Sequence, residues 1–273
     1  MFIVNFQEHG MSSNIEYKTS AIEQFYKNNR IAWKDFYESE RHIFDLILKH
    51  KGKFGRVLDI GCATGGLGMA LSEKGEIDHY VGVEINAQSV QTAKLKPSEV
   101  FPARFICADI LSCSELSGEK FSTVFSLGVA DWNVETTAII DRAWDHVGES
   151  GFLVVSLRLS LEEGINNFKK SYQDIVFSSN QNNEPRERAP YVVFNAGDAI
   201  QTLEALTPMP TTIFCYGYWG KPSKTASTPY ENLIFSVFAI QKGDAKSAQK
   251  KVQLELNLPS DALEQILDVC KNS

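Results

Sequence analysis

Three carboxylates in the first half of the chain each close an apolar run: Asp59 in "VLDIGCATGG", Glu84 in "YVGVEI" and Asp109 in "CADI". An acid at the end of a buried strand can accept hydrogen bonds from a ligand's hydroxyl or amino groups, two at a time where the geometry allows. Behind Asp59 the chain turns through Gly61, Cys62, Ala63 and Gly65, and the two glycines, having no Cβ, permit a tight bend and close approach to a ligand. Together these residues describe a pocket for a polar cofactor. A nicotinamide-dinucleotide turn would read G-x-G-x-x-G, whereas Gly61 begins G-C-A-T-G-G, with Ala63 where the middle glycine would stand.

A fourth acid, Asp131, lies beside Trp132 in "SLGVADW", just past another apolar run. It is the best-placed candidate for a general base, and it reads equally well as a turn or N-cap residue ahead of "NVETTAII". Trp132 can wall a pocket or pack its helix. Further along, Arg158, Tyr172, Tyr191 and Tyr218 are polar or aromatic groups that could meet a substrate, as could Gln173, Asn195 and Trp219. The same residue types would also serve an ordinary loop core. The five histidines are scattered without metal-ligand spacing, so no metal site is expected. His42 could face a cleft from the leading helix, although a core or surface role fits it as well.

Stepping from these residues to the elements that must hold them, Ser20 to Lys51 reads as one leading helix, with apolar residues at three-to-four spacing. Within it Trp33 and Tyr37 stand four apart and so share a face, as lid residues or as a core stripe. "KGKFG" ends the helix, and strands "RVLDI", "HYVGVEI", "ARFICADI", "FSTVFSLG" and "FLVVSLRL" then alternate with helices "GLGMALSEKG", "AQSVQTAKL" and "TTAIIDRAWDHV". Such alternation requires right-handed crossovers and a parallel sheet covered on both faces. The strand ends carrying Asp59, Glu84 and Asp109 then share the carboxyl edge, where open sheets bind ligands. After Arg158 comes a mixed stretch of about fifty residues, followed by two strands, "TTIFCYGYW" and "NLIFSVFAI". The connection between them is too short for a crossover, which makes them antiparallel. A short amphipathic helix, "PSDALEQILDVCKN", closes the chain, with Ser260 as its N-cap.

On these residues the chain resembles the class I S-adenosylmethionine-dependent methyltransferases. "VLDIGCATGG" is similar to their motif I, with a mild departure at Ala63. Glu84 matches the ribose-binding acid, Asp109 the group that takes the adenine amino function, and "SLGVADW" the segment lining the methionine end. The resemblance implies an α/β fold: a Rossmann-like, doubly wound, seven-stranded sheet, mostly parallel with an antiparallel terminal strand, helices on both faces. It implies S-adenosyl-L-methionine as cofactor, with Asp59, Gly61, Cys62, Ala63, Gly65, Glu84, Ile85, Asp109, Ile110, Ser126, Leu127, Gly128 and Trp33 around it. Tyr37, Trp132, Arg158, Tyr172, Tyr191 and Tyr218 are then expected on the substrate side, and Asp131 at the reacting group. Arg30 and Glu38 of the lid could meet the methionine carboxylate and amine. The implied organisation is an N-terminal extension over 1–19, a helical lid over 20–51, and a methyltransferase domain over 52–273 with a substrate-side insertion at about 159–208.

Composition narrows the alternatives. At 273 residues, 43% hydrophobic and with a net charge of −7, the chain is an ordinary globular protein without a global pull toward nucleic acid or anionic lipid. No apolar run reaches the roughly 18 residues of a membrane span. "MFIVNFQEHG" lacks the basic flank of a signal peptide, and Met11 could be the true start. Five cysteines without a CxxC pair, two of them (Cys107 and Cys215) inside strand-like runs, read as buried reduced thiols and a cytoplasmic setting. The expected function is methyl transfer to an oxygen or nitrogen of a small molecule, such as a sugar or surface-polysaccharide precursor. The competing readings are a protein or RNA methyltransferase, a catalytically silent cofactor-binding partner subunit, and a dehydrogenase. The last is disfavoured by Ala63 and by the antiparallel terminal pair. Oligomeric state is not readable from sequence.

Overall fold

A computed structural model describes residues 20–95, 100–175, 187–244 and 251–272. The N-terminal extension expected over 1–19 lies outside them. The leading region forms α1 (Ser20–Asn28) and α2 (Glu38–Lys51), followed by β1 (Gly55–Ile60), α3 (Gly66–Ser72), β2 (Ile77–Glu84), α4 (Ala87–Leu95) and β3 (Ala103–Cys107). Next come β4 (Phe121–Ser126), α5 (Thr136–Asp145), β5 (Val147–Ser160), β6 (Tyr172–Ile175), β7 (Glu187–Pro190), β8 (Phe194–Asn195) and α6 (Ala196–Glu204). The last part holds β9 (Pro210–Gly220), β10 (Ala226–Ser227), β11 (Leu233–Lys242), β12 (Gln253–Asn257) and α7 (Ser260–Asn272).

The main sheet runs β12-β9-β11-β5-β4-β1-β2-β3, with β8 paired to the end of β5. Strands β1 to β5 are parallel, whereas β11 runs antiparallel to both β5 and β9. The doubly wound, mostly parallel architecture expected from sequence is therefore present. The antiparallel strand is inserted between β5 and β9 rather than set at the edge, and β8 and β12 bring the sheet to nine strands. Alternation within the strands sends side chains to two cores. Phe125, Phe152 and Val154 pack with α2 and α3 on one face, while Val124, Leu153 and Val155 pack with α5 and α6 on the other. Strands buried on both sides are continuous apolar runs, which is why "FLVVSLRL" lacks polar alternation.

The leading helix predicted over Ser20–Lys51 is broken. α1 ends at Asn28, Arg30 takes a left-handed φ of 58°, a 3-10 turn spans Trp33–Asp35, and α2 starts after Tyr37. Polar side chains make the break favourable by satisfying backbone N–H groups that helix ends leave unpaired. The Asp35 carboxylate accepts from the N–H of Ile31 at 3.1 Å and of Ala32 at 3.0 Å. Glu40 accepts from the N–H of Tyr37 at 2.8 Å and from the Arg30 guanidinium at 2.7 Å. Periodicity alone cannot reveal such a break, because the apolar spacing continues across it.

The stretch after β5 contributes β6 and β7 to a second, three-stranded antiparallel sheet, and the β9–β11 connection supplies its third strand, β10. Segments roughly fifty residues apart in sequence thus build one wall. The helix α6 escapes the sequence reading. It begins at Asn195, whose side chain accepts from the N–H groups of Gly197 and Asp198. Cys215 is buried as expected, but Cys107 is exposed, because β3 is an edge strand with an open flank. Among the described residues no helix is long and apolar enough to cross a membrane.

Candidate active site

The carboxyl ends of β2, β1, β4 and β5, with the loop after β3, open into one cleft of about 1100 Å³. It lies at the switch point, where the sheet order reverses between β1 and β4, the usual ligand position in open parallel sheets. α1 and the broken segment behind it roof one side. The hydroxyl of Thr64 donates to the carbonyl of Tyr26 at 2.8 Å, and Thr92 donates to Glu23 at 2.6 Å.

Asp59, Glu84 and Asp109, separated in sequence, all line this cleft. Asp59 is 4% exposed, and its Oδ2 accepts the Tyr80 hydroxyl. Burial, opposed by that bond, lifts its carboxyl to about 7. Glu84 accepts from the N–H of Ala63 at 3.0 Å and of Asn86 at 2.9 Å, so the turn after β1 is fastened to the end of β2. Burial raises its carboxyl as well, against the pull of those N–H groups. Asp109 accepts from the N–H of Leu111 at 2.9 Å. Cys62, Ala63, Ile85, Ile110, Leu127 and Gly128 contribute the apolar and backbone surfaces between the acids.

The glycines act differently from the sequence expectation. Gly61, at φ 71°, leaves room for Val129, whose Cγ2 would lie 2.3 Å from any Cβ placed there. Its lack of a Cβ lets the β1 and β4 turns meet, so a neighbouring side chain rather than a ligand demands it. Gly65, at φ 76°, caps α3 under the Phe105 ring and is not part of the lining.

Two other residues expected around the cofactor stand elsewhere. Trp33 is packed edge-on against Phe44 with Lys74 over its ring, outside the cleft, because the chain break turns it away from the Tyr37 side. Ser126 is fully buried and absent from the lining.

At the acceptor end, the buried Asp131, Arg158 and Tyr191 and the half-buried Trp132 form one group that also lines the cleft. Arg158 donates to the Asp131 carbonyl at 2.8 Å and pairs with its Oδ2 at 3.2 Å, both side chains being about 5% exposed. Its guanidinium lies 3.8 Å from the Tyr191 ring centre and 4.7 Å from that of Trp132. Asp131 Oδ1 is buried without a hydrogen-bond partner. Burial raises this carboxyl, and Arg158 opposes the rise. Tyr37 and Tyr218 line the same cleft near its mouth. Tyr172 does not. It stacks under Arg188 at 4.4 Å while its strand neighbour Gln173 faces the cleft, the one-residue alternation of a β-strand that sequence could not phase. Gln173 donates to Ser223 at 3.3 Å, and Ser223 lies 3.2 Å from Thr225, giving a polar shelf that sequence reasoning missed except for Gln173.

His42 stacks on Tyr216 at 4.4 Å, away from the cleft, and Glu38 takes the Tyr216 hydroxyl at 2.9 Å. Arg30 and Glu40 line the cleft as a closed pair. No group of three metal-ligating side chains occurs among the described residues.

Three acids converging on one cleft suit a ligand rich in hydroxyl and amino groups, and the orphaned Asp131 oxygen leaves an acceptor for a second molecule. These residues fit an S-adenosylmethionine-type cofactor. Comparisons with known proteins agree in kind. Residues 57–151 match the family described as "Methyltransferase domain". A comparison with curated protein sequences finds no match. Among solved structures, the chain is similar to an S-adenosylmethionine-dependent methyltransferase from Clostridium acetobutylicum (14% identity, 77% of this chain and 94% of that one, TM-score 0.49). It is similar also to a sugar N-methyltransferase from Streptoalloteichus (14% identity, 89% and 99%, TM-score 0.49) and to magnesium protoporphyrin IX methyltransferase from Synechocystis (16% identity, 74% and 77%, TM-score 0.42). At those TM-scores the likenesses decide nothing about the acceptor. The segment 57–151, about a third of the chain, is thus similar to a methyltransferase domain.

Proposed function

We propose that this enzyme methylates an oxygen or nitrogen of a small, hydroxylated molecule of the sugar class, with Asp131 receiving the proton of the acceptor group. The observation that carries the reading is Asp131 Oδ1, buried and unpartnered, in the same cleft as Asp59, Glu84 and Asp109. A buried polar atom left without a partner costs stability, of order 1–3 kcal/mol, and a bound donor removes that cost.

S-adenosylmethionine, when bound, supplies an activated methyl group. The work of the chain is to seat, align and dry the reactants. Asp59, Glu84 and Asp109 offer oxygens to the cofactor's donors. The Arg158 ion pair keeps Asp131 available as a proton acceptor, and the Tyr191 and Trp132 rings exclude water around it. Gln173, Ser223 and Thr225 present alternating donors and acceptors, which suits the several hydroxyls of a sugar-like ring. Gln173 and Ile175 of the small sheet wall one side of the cleft, which favours a compact acceptor over a duplex or a folded protein. Cys62, Cys113 and Cys215 form no disulfide among the described residues, which is in keeping with a reducing setting.

The test is a screen with methyl-labelled S-adenosylmethionine against monosaccharides, amino sugars and nucleotide-linked sugars, followed by Asp131→Asn on the acceptor found. Turnover should fall at least about 100-fold, the usual worth of a positioned proton acceptor. Label passing instead to protein or RNA, or an unchanged rate in the variant, would refute the reading.

A further inference from the structure

The end of β1 carries a feature that cofactor binding alone does not require. Asp59 sits on the cleft floor, almost wholly buried, and its Oδ2 takes the hydroxyl of Tyr80 from the middle of β2. Tyr80 is itself inaccessible, in ring contact with Phe101 at 5.7 Å and Phe105 at 5.8 Å. The ring also packs against Gly68, in the first turn of α3. One phenol thus stands between the acid and the helix that follows the glycine turn, and its hydroxyl fixes where the carboxylate points.

The charged groups around this acid come from three elements. Glu84 faces it from the end of β2 and Arg30 from the segment after α1, with the Tyr80 hydroxyl beneath. The Cys62 thiol lies beside Tyr80. Arg30 is already paired to Glu40 at 2.7 Å, so the cation on this side has its own partner. Glu84 is held by backbone N–H groups and keeps its own carboxylate in the same cleft. Two buried carboxylates with a single, spoken-for cation cannot both carry full charge cheaply.

We propose that Asp59 exchanges a proton for the cationic amino group of the cofactor, and that Tyr80 is the positioning residue for this exchange. The inference rests on S-adenosylmethionine occupying this cleft. The balance is simple: the protonated acid meets an ammonium, the O–H proton leaves to solvent, and a carboxylate–ammonium pair remains. Cofactor affinity then rises with pH through the neutral range and levels off above it. The burial-driven rise of the Asp59 carboxyl places that range near 7.

The experiment is titration calorimetry with S-adenosylhomocysteine, which carries the same amino group, in buffers of different ionisation heat between about pH 6 and 8.5. The wild-type protein should release close to one proton at the acid end and little at the alkaline end, with affinity falling about tenfold per pH unit below 7. Asp59→Asn should bind more weakly, with no proton release and a flat pH dependence. Tyr80→Phe keeps the ring packing and loses a bond that favours the ionised acid, so its midpoint should move upward and its affinity at pH 7 should drop several-fold. Binding without proton release in the wild type overturns the exchange alone. An unmoved midpoint in Tyr80→Phe removes that residue from the positioning role. No binding at any pH overturns both the exchange and the cofactor reading beneath it.

Discussion

Replacing Arg158 with methionine tests whether the acceptor end is held together as described. The arginine and Asp131 are each about 5% exposed and 3.2 Å apart, and the cation is boxed between Tyr191 and Trp132. Removing it strands a buried carboxylate, one of whose oxygens is already unpaired. Broken buried pairs of this kind cost about 3–5 kcal/mol, far beyond the 0–1 kcal/mol of a surface pair. The loss should depend on pH in a definite direction. Burial already raises the Asp131 carboxyl, and losing Arg158 removes the influence that opposes the rise. The variant can therefore escape the penalty by binding a proton, so the cost is largest at pH 8 and shrinks as pH falls toward 5. Asp131→Asn placed on top of Arg158→Met removes the stranded charge and should recover more than half of the loss. Urea unfolding of the two single variants and the double variant at both pH values gives the coupling directly. A loss below about 1 kcal/mol at pH 8, or strictly additive single variants, would show that the pair is a bystander.

Two further outcomes follow from residues at the cofactor turn. Asp59 keeps its proton in the fold up to about 7, whereas the unfolded chain releases it near 3.8, so the native state loses stability as pH rises through that window. Asp59→Asn lacks the loss and should be more stable at pH 8 by up to about 4 kcal/mol, the gain fading near pH 4; equal denaturation midpoints at pH 8 would contradict this. Ala63 takes φ 46°, a left-handed conformation costing a non-glycine residue about 1–2 kcal/mol. Ala63→Gly relieves it while loosening the unfolded chain by about 0.4–1 kcal/mol, leaving a net gain of about 0.5 kcal/mol and a slightly higher Tm. A clear drop in Tm would mean that the methyl group packs usefully.

Sequence alone carried the strand–helix alternation, the antiparallel strand near the end, and the acids at the ends of β1 and β2 and just past β3. These are local: each is read from an apolar run, a glycine turn or the spacing of close neighbours in the chain. The break in the leading helix was invisible because Asp35 and Glu40 cap the backbone without disturbing the apolar period. The face presented by β6 was equally hidden, since a strand with one residue of register slip looks the same in sequence and reverses Tyr172 with Gln173. Trp33, Cys107 and α6 belong with these, their environments being set by neighbours distant in the chain.

What only the tertiary structure decided is which groups stand free and which are already engaged. Sequence named Asp131 and Arg158 separately, one as a candidate base and one as a candidate substrate contact. Folding joins them 27 positions apart as an ion pair and leaves one oxygen of the pair buried without a partner. It likewise gives Gly61 to Val129 and Asp59 to Tyr80. Residue type and spacing fix which chemistry a chain can offer, because they set local backbone preference and burial. Partnership arises between segments that meet only when the sheet closes, so it depends on three-dimensional packing that no local pattern encodes.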